Sequence, residues 1–225
     1  MIFEQFKTSL PFDDQNYIHV EYPDYFFAAK NRKARVKDLG KKFAEINAFF
    51  YDYLQKYHIP TAYVKKSKTN TIIFSKFNEL PFYVKILNSV NKRTAKLFGK
   101  KEGEQMELPI YEFHFGHNKD SLICESHLVA FDFCSTEDVR TVNRICSKVN
   151  AVLKAFFERR NERIVEVICS FGKQDNNIYL VDDFSPMSLK VFPEKEEKKW
   201  TNPYKLSTSN EMKKYTDYLY RIINS

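Results

Sequence analysis

The stretch 164–186, IVEVICSFGKQDNNIYLVDDFSP, decides how this chain folds. Two apolar runs, 164–171 and 178–184, flank Gly172-Lys173-Gln174-Asp175-Asn176-Asn177, and glycine with paired asparagines is hairpin-turn chemistry. In the first run Val165, Val167 and Cys169 share one face and Glu166, Ile168 and Ser170 the other, because side chains alternate along a strand. The second run ends in Asp182 and Asp183, ahead of a Ser185-Pro186 stop. Folding the hairpin about 174–175 brings Glu166 toward those two aspartates. Carboxylates gathered at one sheet end repel unless they are protonated or neutralised by a cation. Magnesium suits the second case, since it takes a few carboxylate oxygens plus waters and phosphates. Spacing alone leaves two readings open: an acidic strand end facing water, or a metal site built from Glu166, Asp182 and Asp183.

Upstream of the hairpin, Ser135 followed by Asp138 opens a helix with Val139, Val142, Ile145, Val149, Val152, Leu153 and Phe156 on one stripe, and Ser135 is its expected N-cap. Near the start, 17–22 alternates as a strand should, and Leu39, Phe43, Ile46, Phe49, Phe50, Tyr53 and Leu54 recur at helical spacing, which predicts a helix over about 36–57. His58-Ile59-Pro60 stops it, because the residue before proline is pushed out of the helical region. Strands are expected at about 61–65, 71–76 and 82–87, with Asn78-Glu79-Leu80-Pro81 connecting the last two. An antiparallel meander with the helix on one face is the natural product. Residues 91–104 are polar, basic and punctuated by glycine, so an exposed loop with at most a short helix is expected. A strand over 110–115 and a last helix over 211–223, with Met212, Tyr215, Leu219 and Ile222 in phase, complete an α+β pattern. The interval 78–116 holds the expected boundary between a small lobe, 1–80, and a larger one, 81–225.

At 225 residues, with abundant aromatics and little glycine, the chain can bury a substantial core. No window of about 18 uncharged apolar residues is present, and Glu4, Lys7 and Pro11 interrupt the N-terminus, so no membrane span or signal segment is expected and the expected address is cytoplasmic. Cys124, Cys134, Cys146 and Cys169 include no CxxC pair, which argues for reduced thiols. The net charge of +7 is dispersed. Runs such as Lys65-Lys66-Ser67-Lys68 lie in short polar stretches without any nucleic-acid recognition signature, so no nucleic-acid partner is expected. Part of the excess charge is available to small phosphorylated ligands.

The motif order resembles the SAICAR synthetase family across 7–192. The shared segments are IPTAYV at Ile59, LPFYVKILN at Leu80, KLFGKKEG at Lys96, DSLICES at Asp120, KVNAVLKAFF at Lys148, SFG at Ser170 and DDFSP at Asp182. The resemblance implies an ATP-grasp-like, two-lobed fold that uses ATP and Mg2+ to join a small-molecule carboxylate to an amino-acid amine, aspartate in the family. A carboxylate is a poor acyl donor until phosphorylation gives it a leaving group, and cations stabilise the charge on the transferring phosphoryl. It further implies that Lys76 and Asp182 carry the chemistry. Lys7, Lys76 and the hinge residues Phe82, Tyr83 and Val84 would hold the nucleotide. Arg93, Asp120, Glu125 and Lys190 would hold substrates, and Glu166, Asp182 and Asp183 the metal. Self-association is compatible with the aromatic surplus.

Several positions depart from the family pattern. Leu87 stands where the family has a phosphate-binding arginine, Lys92-Arg93 where it has glycine-serine, Ile168 where it has a lysine and Ser170 where it has a metal-binding glutamate. Leucine cannot hold a phosphate. Three functions follow in order of expectation: an ATP-dependent ligase of this family with an altered acceptor, a noncatalytic nucleotide-binding paralogue, and a ligase with the family's own substrates.

Overall fold

In the computed structural model, residues 8–9, 16–28, 32–116, 121–181, 183–195 and 200–225 are described. Among them the order is β1 (Thr8–Ser9), β2 (Tyr17–Glu21), β3 (Tyr25–Ala28), β4 (Arg32–Arg35), α1 (Leu39–Gln55), β5 (Tyr63–Lys68), β6 (Thr71–Ser75), β7 (Asn78–Ser89), α2 (Lys92–Phe98), β8 (Gln105–Phe115), β9 (Leu122–Ile123), α3 (Glu125–Ala130), α4 (Thr136–Glu158), β10 (Glu162–Gln174), β11 (Asn177–Val181), β12 (Leu189–Pro193) and α5 (Ser209–Ile223). One sheet has the order β1-β2-β6-β5, and a six-stranded sheet runs β11-β10-β7-β8-β9 with β12 also on β10. Helices packed on antiparallel sheets make this the expected α+β class. No helix among the described residues is long and apolar enough to cross a membrane.

The hairpin forms as its sequence requires. Gln174 pairs with Asn177, and the two residues between them, Asp175 and Asn176, take positive φ values of 49° and 64°. Aspartate and asparagine tolerate that left-handed region, and the turn's twist matches that of the flanking strands. The N-cap of α4 is also as expected: Ser135 Oγ accepts from Asp138 N at 3.0 Å and Asp138 Oδ2 accepts from Ser135 N at 3.0 Å. Helix α1 begins later than expected, at Leu39, because Asp38 is left-handed at φ 58° and the cap comes from outside, where Asp24 Oδ1 accepts from Gly40 N at 2.9 Å.

The expected meander is corrected in one respect. Strands β5 and β6 pair, but the third strand leaves for the other sheet and lies between β10 and β8. Its connecting segment is itself strand, since β7 already starts at Asn78. The reason lies in α4, whose buried stripe of Val142, Ile145, Val149 and Leu153 needs an apolar sheet face. Phe82, Val84 and Ile86 of β7 and Val167, Cys169 and Phe171 of β10 are buried in the same core. Periodicity marks which residues face inward. It does not name the strand beside them.

Two polar devices fix the sheet to its helices. Asn88 Nδ2 donates to Asn150 Oδ1 at 2.8 Å and Asn150 Nδ2 returns a bond to Asn88 Oδ1 at 3.0 Å, which satisfies both buried amides. On the far side Tyr215 Oη of α5 accepts from Val191 N at 2.8 Å and donates to Leu189 O at 3.0 Å, the two backbone groups that flank Lys190 in β12. Trp200 lies against Phe192 with ring centroids 4.4 Å apart.

Candidate active-site cavity

Strands β7 and β10 and the start of α2 enclose a cavity of about 480 Å³. The sheet register builds its floor: Glu166 of β10 pairs with Leu87 of β7 on one side and Lys190 of β12 on the other. Asn91 caps α2 by accepting from Thr94 N at 2.8 Å, which puts Lys92 and Arg93 in the first turn. Val90 closes the wall by donating to Glu104 O and accepting from Gly103 N, each at 2.8 Å. Lys85, Lys92, Arg93, Arg163, Glu166 and Tyr204 are the charged and phenolic lining residues that matter here.

Their partners differ. Arg93 Nη2 meets Glu112 Oε1 at 2.5 Å, and His114 Nε2 faces Glu112 Oε2 at 3.5 Å. Burial pushes the Glu112 carboxyl up, but the nearby His114, the hydrogen bond and charge of Arg93 and the charge of Lys85 outweigh it and hold the group below its ordinary value. Glu166 Oε2 accepts from Tyr204 Oη at 3.2 Å. Lys190 is buried, with Nζ donating to Pro186 O at 2.8 Å. Burial lowers its pKa from 10.5 to about 8, although Glu166 and Asp183 favour the ammonium, and Lys85 adds to the lowering.

That shift has a sign. Between about pH 8 and 10.5 the unfolded chain keeps the Lys190 proton while the folded chain has released it, so folding stability from this group rises with pH across that window. Compared with Lys190→Met, the wild type is expected to gain about 2 kcal/mol between about pH 7.5 and 9.5. Chemical denaturation of both proteins at the two pH values measures it. Parallel curves would show that Lys190 titrates like an exposed lysine.

The structure brings some predicted residues together and not others. Arg93 and Glu166 line the cavity, and Lys190 lies beside Glu166 through the β10–β12 pairing. Of the three carboxylates expected at the metal, Glu166 and Asp183 are described and Asp182 is not. Glu166 lies along β10 with Tyr204 and Lys190, whereas the hairpin end is fixed by the pair Ser170–Val181. Asp183 turns inward at 4% exposure; Asn47 Nδ2 donates to Oδ1 at 2.6 Å and Ser185 Oγ to Oδ2 at 2.5 Å. Its carboxylate braces α1 against the hairpin. Among the described residues no group of three or more His, Cys, Asp and Glu side chains could hold a metal ion. Lys7, Asp120 and Asp182 lie outside the described residues.

The expected hinge segment is built into the sheet. Tyr83 and Val84 pair with β10 on one side and β8 on the other, so their backbone is committed to the sheet. The β10 ladder jumps from Ser170–Tyr83 to Gly172–Glu79, which leaves 80–82 without a β10 partner in the register. Lys76 is exposed between β6 and β7. Glu125 opens α3 and accepts from Asn143 Nδ2 at 2.9 Å, which ties it to α4.

Sequence reasoning missed Ser89, Arg163 and Tyr204, and quoted Lys85 only within the hinge segment. Arg163 precedes an apolar run and so reads as a solvated charge at a strand's first turn. Tyr204 comes from a stretch without periodicity, and no local signal places it over Glu166.

The family model described as SAICAR synthetase matches residues 6–214. The phosphoribosylaminoimidazole-succinocarboxamide synthase of Sulfolobus acidocaldarius is 31% identical over 196 residues, 85% of this chain and 83% of that one. Its counterpart in Persephonella marina is 27% identical over 194 residues, 85% and 82% of the two chains. Among solved structures, a SAICAR synthetase in complex with ADP matches with a TM-score of 0.87 at 24% identity, covering 97% of this chain and 95% of that one.

Proposed function

Because the chain belongs to the SAICAR synthetase family, we propose that it is an ATP-dependent ligase joining the carboxylate of a phosphoribosyl-aminoimidazole to the amine of aspartate. The succinocarboxamide in its relatives' name is what aspartate's amine leaves on such a carboxylate. The observation that carries this reading is the near full-length likeness in both directions to the Sulfolobus synthase. It favours the family's own substrates over the altered acceptor that the departures at Leu87 and Lys92-Arg93 first suggested. A cavity bordered by Lys85, Lys92, Arg93 and Arg163 suits a phosphate-bearing carboxylate.

Within this reading, the backbone of 80–82 receives the adenine, and Lys7 and Lys76 meet the nucleotide's phosphates. Asp120 and Glu125 address the amine. Asp182 follows Val181, which is paired with Ser170, so the donors offered to a metal are one carboxylate and one hydroxyl. That set fits magnesium arriving on nucleotide phosphates, because magnesium keeps waters and needs only one or two protein carboxylates. When bound, such an ion offsets charge on the transferring phosphoryl. Glu166, held by Tyr204, and Lys190, held by Pro186 O, are pre-oriented beside the substrate cavity, which lowers the entropy cost of alignment.

The test is ADP release in the presence of the phosphoribosyl-aminoimidazole carboxylate, aspartate and ATP with magnesium, repeated with each component left out. Release that requires all of them is expected. Absence of release, with ADP still binding in calorimetry, would leave the noncatalytic paralogue, which Ile168 and Ser170 favour because each puts a group without charge where the resemblance implies a charged one.

A further inference from the structure

Two residues that line the cavity each carry a buried polar atom without a partner among the described residues. Ser89 is 6% exposed and its Oγ makes no hydrogen bond, and Arg163 Nε is buried without one. Both residues line the same 480 Å³ space. A buried donor left unpaired costs about 1–3 kcal/mol, so two in one cavity are best explained by a ligand that completes them. Charge agrees with this. Arg93 is engaged by Glu112, and Glu166 by Tyr204. That leaves Lys85, Lys92 and Arg163 facing one further lining carboxylate, Glu102.

Position explains why the arginine is where it is. The resemblance implies a phosphate-binding arginine at 87, but Leu87 is 1% exposed. Strand β10 runs antiparallel to β7 with Glu166 opposite Leu87, so Arg163 lies beyond Leu87 on the side of Ser89. The guanidinium is a rigid fork of donors whose geometry matches two oxygens of a phosphate, and a serine hydroxyl beside it can donate to a third.

The geometry points to Arg163 and Ser89 as the clamp for the substrate's phosphomonoester, moved from β7 to the neighbouring strand, and to Arg163 as the residue that sets specificity for a phosphorylated substrate in this chain. The identity of that substrate rests on the ligase reading; the clamp itself does not. Arg163 contacts the phosphate and takes no part in the bond changes, so its loss falls on substrate affinity rather than turnover.

Calorimetry with ribose 5-phosphate and with inorganic phosphate tests the clamp without catalysis. The wild type is expected to bind ribose 5-phosphate, Arg163→Leu to bind it at least about tenfold more weakly, Arg163→Lys to lose less, and Ser89→Ala to lose about threefold. ADP affinity should stay the same in all three, and thermal stability should not fall, because each of Arg163→Leu and Ser89→Ala removes an unsatisfied buried group. In turnover assays Arg163→Leu should raise the carboxylate KM with little change in kcat. Equal binding of ribose 5-phosphate by wild type and Arg163→Leu overturns the clamp, as does failure of the wild type to bind either probe. If the protein lacks ligase activity yet Arg163→Leu still weakens ribose 5-phosphate, the ligase reading falls and the clamp stands. If ligase activity is present and Arg163→Leu leaves KM unchanged, the clamp falls and the ligase reading stands.

Discussion

An Asn47→Leu variant is expected to lose on the order of 4 kcal/mol of stability, read as a shift of the urea midpoint. Leucine keeps asparagine's branched shape on α1, so no cavity opens, and the loss is that of the hydrogen bonds together with the crowding of two bulkier methyl groups. Asn47 is fully buried, donates to Asp183 Oδ1 at 2.6 Å and accepts from Phe184 N at 2.6 Å. Without it, a buried carboxylate loses a charge-assisted bond and a buried N–H is stranded, each worth about 1.5–3 kcal/mol. The hairpin end that Asn47 anchors leads to Asp182, so magnesium-dependent nucleotide affinity should fall as well. A loss below about 1 kcal/mol would mean that Asp183 and Phe184 find other partners, and the bracing role would be withdrawn.

Asp182→Ala should do the reverse: leave the urea midpoint near that of the wild type and lower turnover at least about a thousandfold. With Ser170 in place of a second carboxylate, Asp182 is the one charged group that this hairpin offers to a metal in the proposed mechanism. Calorimetry of ADP with and without magnesium should show that the metal strengthens binding to the wild type and not to the variant. An equal magnesium effect in both proteins would move the metal site elsewhere. The two variants thus separate the bracing of Asp183 from the metal role that the proposed mechanism gives Asp182.

Much of the fold was legible because its strongest signals are local. The Ser135–Asp138 capping pair and the 3.6-residue stripe of α4 specify their own geometry and form as read, and the hairpin forms with its turn at Asp175-Asn176, one residue beyond the expected fold about 174–175. What failed was pairing. The segment 82–87 is a strand as expected, yet its place between β8 and β10 depends on the face that α4 must cover, information far away in sequence. Site residues divide in the same way. Arg93 and Glu166, expected from motif order and strand alternation, both line the cavity, and Lys190 is paired beside Glu166. Asp183 was expected beside Asp182 at a metal; the structure shows its carboxylate bonded to an asparagine on α1, 136 residues away in sequence. Arg163 and Ser89 carried no motif at all, and only their unpaired buried atoms mark them out.

Tyr215 binds the backbone on both sides of Lys190 in β12, the strand whose Phe192 lines the cavity, so that strand is mechanically coupled to a helix that does not line the cavity. Damage to the seat of α5 on α1 will therefore displace a charge at the heart of the molecule. In a mutational screen, substitutions there will masquerade as active-site lesions, and a map of sensitive positions drawn from activity alone would extend the catalytic region out to the protein's periphery.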